Sequence, residues 1–169
     1  METWIADALE RLRSDVAAAN IGGNVEGLLA RHIIGDDSRL QIRWGVDCDE
    51  VWLQRSYDPS SLPSVAALGY TLAHRPEPRF TSPMEEGVQR ATARDPTMAG
   101  HGAALHDPAV LIGLALAARE LRPTKPQYLA WCGQVVKGLG QGTAARLDPM
   151  LAYAAWVCDT DIGQPSLDV

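Results

Sequence analysis

Eleven prolines divide this chain, and their positions restrict its fold more than any other feature. Proline lacks an N–H and its ring clashes with the preceding turn, so it is excluded from a helix interior but fits a helix's first position. Asp107-Pro108 and Asp148-Pro149 each place a good N-cap before such a proline. Ser82-Pro83-Met84-Glu85 reads as a capping box with proline at the first helical position. Together with Pro126, these signals predict four helices. They end near Arg94, before Pro123, near Lys137 and near Asp159. A further helix is predicted over about Ser64 to Ala73, after a linker at residues 57–63 that holds Pro59 and Pro63. Arg75-Pro76-Glu77-Pro78-Arg79 is expected to be irregular, because each proline also pushes its predecessor out of the helical region. Residues 95–106 are small, glycine-containing and irregular on the same reading.

The N-terminal third relies on periodicity instead. Trp4, Ile5, Ala8, Leu9, Leu12, Val16 and Ala19 recur at three- and four-residue steps and share one helical face. Asn20 and Gly22-Gly23 stop that helix, and Asn24 caps a shorter one over Val25 to Ile34. The period then drops to two. Leu40, Ile42 and Trp44 alternate with Arg39, Gln41 and Arg43, and Val51 and Leu53 alternate with Trp52 and Gln54. With the loop at residues 45–49, this predicts a β-hairpin near residues 39–55. Two strands alone are marginal, so the hairpin should lie against helices.

The expected fold is therefore mainly α: a compact domain of about six helices with one β-hairpin. It spans residues 1–162, with 163–169 as a flexible tail. A length of 169 residues suits one domain, and roughly 70% of the unfolded surface can be buried at this size. The Asp-Pro pairs lie 41 residues apart, but too little else matches to support a helical repeat. The many alanines, among them Ala115, Ala117, Ala118, Ala144, Ala145, Ala152, Ala154 and Ala155, suit closely packed helices.

Charge and cysteine usage exclude several roles. The net charge of −6 opposes a main task of coating nucleic acid or anionic lipid. The longest apolar run, Ala109 to Ala118, is ten residues, half the roughly 20 that a membrane span needs. Cys48, Cys132 and Cys158 are odd in number and form no CxxC, so neither a disulfide framework nor a zinc ribbon is indicated. No secretory signal is read at the N-terminus. A soluble, cytoplasmic protein is expected, with no membrane or nucleic-acid partner.

Few constellations could carry chemistry. Lys137-Gly138-Leu139-Gly140-Gln141-Gly142-Thr143 places three glycines in alternation. Their N–H groups could converge on a phosphate, with Lys137 and Thr143 adding charge and a hydroxyl. The spacing fits neither GxGxxG nor GxxxxGK[ST], so the preferred reading is a helix connector ended by a C-cap glycine. His101 and His106, with Asp107, could serve a metal or acid–base chemistry. Their spacing shares no helical face, and a polar loop with Asp107 as N-cap is preferred. Asp47-Cys48-Asp49-Glu50 lacks the offsets of a calcium loop and reads as turn chemistry. Arg39/Arg43, Arg75/Arg79 and Arg90/Arg94 are pairs that could hold an acidic group or simply be solvated. No metal site and no cofactor are expected.

Five tryptophans stand against one phenylalanine. If Val51 and Leu53 face the core, Trp52 is exposed beside Gln54, with Arg39 and Arg43 on the neighbouring strand. That composition suits a protein-binding hot spot; the competing reading buries the hairpin on both faces. The expected function is a small, soluble intracellular protein-interaction module (adaptor, inhibitor or regulatory partner) without catalysis. Its expected partner is another protein, and homodimerisation is kept open. The alternative is a small phosphate- or nucleotide-binding enzyme using the 137–143 loop and the His101/His106/Asp107 loop.

Overall fold

A computed structural model describes residues 57–74, 78–141 and 149–160. The two helices expected in the N-terminal third, the hairpin expected at 39–55 and the tail expected at 163–169 lie outside the described residues.

The described part is helical. In chain order it contains α1 (Leu62–His74), a 3-10 turn at Pro78–Phe80, α2 (Thr81–Thr92), a second 3-10 turn at Ala103–Leu105, α3 (Pro108–Glu120), α4 (Pro126–Leu139) and α5 (Pro149–Val157). No strand occurs among the described residues; the one β-type contact is an isolated bridge between Ser61 and Ala99.

Helix α3 is the axle of the fold. Every residue from Ala109 to Ala118 is buried, as expected of a helix that is apolar all round. The other four helices all pack on it, and the buried side chains from Leu62 to Cys158 form one continuous cluster. Asp107 caps α3 as the sequence predicts, its carboxylate accepting from the Ala109 N–H at 3.0 Å.

The closest approach is between α1 and α3. A Cβ on Gly69 would collide with the Gly113 carbonyl oxygen. A Cβ on Gly113 would meet the Ala66 carbonyl oxygen at 2.6 Å and Tyr70 Cε2 at 2.8 Å. The helices therefore touch backbone to backbone, and the Tyr70 hydroxyl donates to the Ala109 carbonyl, tying α1 to the first turn of α3. Close packing through small side chains is the expected role of the alanines, and Ala115, Ala117, Ala118, Ala152, Ala154 and Ala155 are all buried.

Three local expectations are corrected. Ser82 is not an N-cap: α2 begins at Thr81, with Phe80 at the cap position and no side-chain cap bond. The reason is tertiary. Phe80 is 2% exposed, and its burial sets the entry to α2 through the preceding 3-10 turn. Pro83 then lies inside the first turn, where its missing N–H is harmless, and its carbonyl accepts from the Tyr57 hydroxyl at 2.7 Å. Second, Pro78 opens that 3-10 turn, so the segment expected to be irregular is ordered at its end. Third, α4 continues through Lys137 and Gly138 to Leu139.

The link from α2 to α3 is pinned rather than loose. The Leu62 N–H donates to the Ala99 carbonyl at 2.8 Å, and the Ala99 N–H to the Ser60 carbonyl at 2.7 Å. Met98 is buried beneath it.

Candidate functional site

Trp52, Arg39, Arg43 and Gln54, the residues predicted to bind a partner, lie outside the described residues, as do Gly142 and Thr143. Lys137 and Gly138 are exposed in the last turns of α4. Gly140 is its C-cap with φ −85°, and its N–H donates to the Val136 carbonyl at 2.9 Å. That bond places Gly140 at the negative end of a helix dipole, where cations rather than phosphates are favoured. His101 and His106 are both exposed on the α2–α3 link. Among the described residues, no group of three His, Cys, Asp or Glu side chains converges as a metal site would require.

Two other surface features emerge. The first is Trp156, on the outer side of α5. It is 37% exposed, the exposed large apolar side chain among the described residues. Its ring stacks on Tyr153, with centroids 5.7 Å apart and planes at 23°. The Arg119 guanidinium sits 5.6 Å from the Trp156 ring centroid and donates to the Val157 carbonyl at 3.3 Å. Arg122, one turn further along, pairs with Asp159 at 2.8 Å. A cation over an exposed tryptophan contributes about 0.5–1 kcal/mol. Here it also holds the indole in one orientation. Periodicity could not single out Trp156, because α5 is apolar on every face, and its arginine comes from a different helix 37 residues earlier in the chain.

The second feature is a groove of about 300 Å³ along the last turns of α4. Trp131, Val135 and Leu139 supply an apolar stripe at four-residue steps, with Gln134 and Gly138 beside it. Arg94 and Leu105 close the other wall.

Arg94 ends α2 in a left-handed conformation, with φ 54°. Its N–H bonds the Ala91 carbonyl at 3.1 Å, and the Asp95 N–H bonds the Arg90 carbonyl at 3.1 Å. These two bonds define a Schellman ending, whose left-handed position is usually glycine. An L-residue there carries a cost of about 1–2 kcal/mol. Asp95 does not compensate by pairing with Arg94. One of its carboxylate oxygens accepts from the Thr97 N–H and hydroxyl, and the other from Arg90. The Thr97 and Arg90 bonds hold Asp95 down at about 2. Among the described residues, Arg94 has no ion-pair partner.

Cys132 and Cys158 are buried in the core. Burial pushes the Cys132 thiol well up, and Cys158 up to about 12, the Asp159 carboxylate adding to the second. Only thiolates are nucleophilic, so neither is poised for catalysis. In the native protein at pH 8, Cys132 and Cys158 are expected to resist iodoacetamide, and to react only on unfolding, as read by mass spectrometry of labelled peptides. Rapid native labelling of either would contradict their burial. Above about pH 8.5 the unfolded thiols ionise while the folded ones do not. Stability should therefore fall as pH rises past that point.

No family model, no curated protein and no solved structure matches this chain.

Proposed function

We propose that this chain is a protein-interaction module, a small soluble intracellular adaptor, inhibitor or regulatory partner that binds another protein and has no catalysis of its own. The observation that carries the reading is Trp156, exposed and held in place by Tyr153 and Arg119. Tryptophan and arginine are the residue types most enriched in binding hot spots. A ring already fixed by its neighbours loses little rotamer freedom on binding. Arg122 and Asp159 border it as a polar rim. Trp52, Arg39, Arg43 and Gln54 are proposed as a second contact surface.

The alternative, a phosphate- or nucleotide-binding enzyme, has less geometric support. Lys137 and Gly138 belong to a helix, and the Gly140 N–H is engaged within it.

The test is Trp156→Ala. Partners captured from the native host's lysate are identified by mass spectrometry, and the strongest is purified for titration. The variant should keep its melting transition to within a few degrees and lose about 2 kcal/mol of affinity, roughly 30-fold. Sedimentation of the chain alone asks whether that partner is a second copy. Undiminished binding by a folded Trp156→Ala variant would reject this face as the interface.

A further inference from the structure

We propose that the groove between Arg94 and the last turns of α4 is a binding site for a small aromatic monocarboxylate. The inference stands apart from the Trp156 surface and rests on different residues. Two of its positions carry residues that local physics disfavours. Arg94 occupies the left-handed position of a Schellman ending, where glycine costs nothing. Gly138 occupies the last turn of α4, where alanine is still the better helix former. For Gly69, Gly87, Gly113 and Gly133, a Cβ would strike a neighbouring helix or side chain. Gly100 and Gly102 have positive φ. Gly138 has neither reason: a Cβ there would meet nothing within 4 Å. Both line the same groove, whereas Asp159, the other non-glycine residue with positive φ, is of a type that tolerates that conformation. Local rules are broken at functional sites more than elsewhere, and here the breaks have one result. Gly138 keeps the groove open, and Arg94 puts a cation on its wall.

The lining specifies the ligand. Arg94 presents a planar fork that matches a carboxylate's two oxygens. Asp95, the adjacent carboxylate, is already bound to Arg90 and Thr97, and no carboxylate among the described residues pairs with that fork. Trp131 offers an aromatic surface, and Val135, Leu139 and Leu105 an aliphatic one, against which a flat ring can pack. Gln134 adds an amide that can donate or accept. The volume of about 300 Å³ falls at the small end of ligand pockets. A phosphate dianion fits less well. One arginine neutralises the whole charge of a monocarboxylate but only half that of a dianion, and the carbonyl end of α4, which the groove follows, opposes the unpaired second charge.

The experiment is an NMR titration of the full chain with 2-naphthoate, following the Trp131 indole N–H and the Gln134 side-chain amide. Naphthalene-2-carboxamide, 2-naphthyl phosphate and N-acetyl-Ala-Phe are the comparison probes. Naphthoate should saturate these signals at millimolar concentration or below, with the carboxamide and the phosphate each at least about tenfold weaker. Arg94→Gly, which suits the left-handed backbone, should keep the melt and weaken naphthoate about tenfold or more. Arg94→Asn, which also tolerates that conformation, is the second neutral replacement. Gly138→Leu should fill the groove and abolish binding in a protein that melts no lower than the parent. Failure of naphthoate to shift either signal at about 5 mM would overturn the proposal. So would equal affinity in folded Arg94→Gly and Arg94→Asn, or a phosphate that binds more tightly. A peptide acid that binds more tightly than naphthoate would assign the groove to a protein C-terminus and overturn the free-acid reading.

Discussion

Gly69→Ala is expected to destabilise the helical core by at least about 3 kcal/mol, or to prevent folding. The added methyl would strike the Gly113 carbonyl oxygen and lie 3.0 Å from the Ala117 nitrogen. These are backbone atoms inside α3, so no rotamer change can yield the space. The helices would have to separate, and separation would loosen every contact α3 makes with α1. The control is Gly138→Ala, where a Cβ meets nothing within 4 Å. There the same exchange should stabilise, by no more than about 0.5 kcal/mol in the last turn of α4, because alanine has the better helix propensity. Urea denaturation of both variants checks the pair. A Gly69→Ala midpoint close to the parent's would show that α1 and α3 are not held in backbone contact.

Leu114→Ala is the second large effect, expected at about 2–5 kcal/mol. Leu114 is fully buried in the middle of α3, the helix on which α1, α2, α4 and α5 all pack. Neighbours on several helices would have to move together to close the cavity, so collapse into it is restricted. The slope of the urea transition should stay unchanged, since the same surface is exposed on unfolding. A loss below about 0.5 kcal/mol, the range of surface substitutions, would place Leu114 outside the core.

Helix starts were the most legible part of this fold. Asp107 followed by Pro108 is a complete local instruction: a carboxylate for the Ala109 N–H, and a ring that excludes any earlier turn. Pro126 supplies only the ring for α4, whose cap residue Lys125 makes no side-chain bond. The capping box at Ser82 was misleading, because the burial of Phe80 and the preceding 3-10 turn start α2 earlier. Helix ends were harder. Gly138 and Gly140 both look like C-caps in sequence, and the bond from the Gly140 N–H to Val136 decides between them. Arg94 and Asp159 end their helices with positive φ, although neither is a residue that a search for terminating glycines would select.

The candidate surfaces were the least legible. Trp156 and Arg119 come from different helices, and no spacing relates them. The groove likewise joins Arg94 and Leu105 to a face of α4. The sequence by itself determined where most helices begin, that the stretch from Ala109 to Ala118 is continuously apolar, and that small residues would let helices meet closely. These follow from proline sterics, capping and hydropathy, which act within a few residues or on one element at a time. Among the described residues, tertiary structure alone decided which glycines face another backbone, that Trp156 stays exposed, and that Arg94 is left without a carboxylate. Those outcomes depend on the distance between residues tens of positions apart, and that distance is set only once the helices have packed around α3.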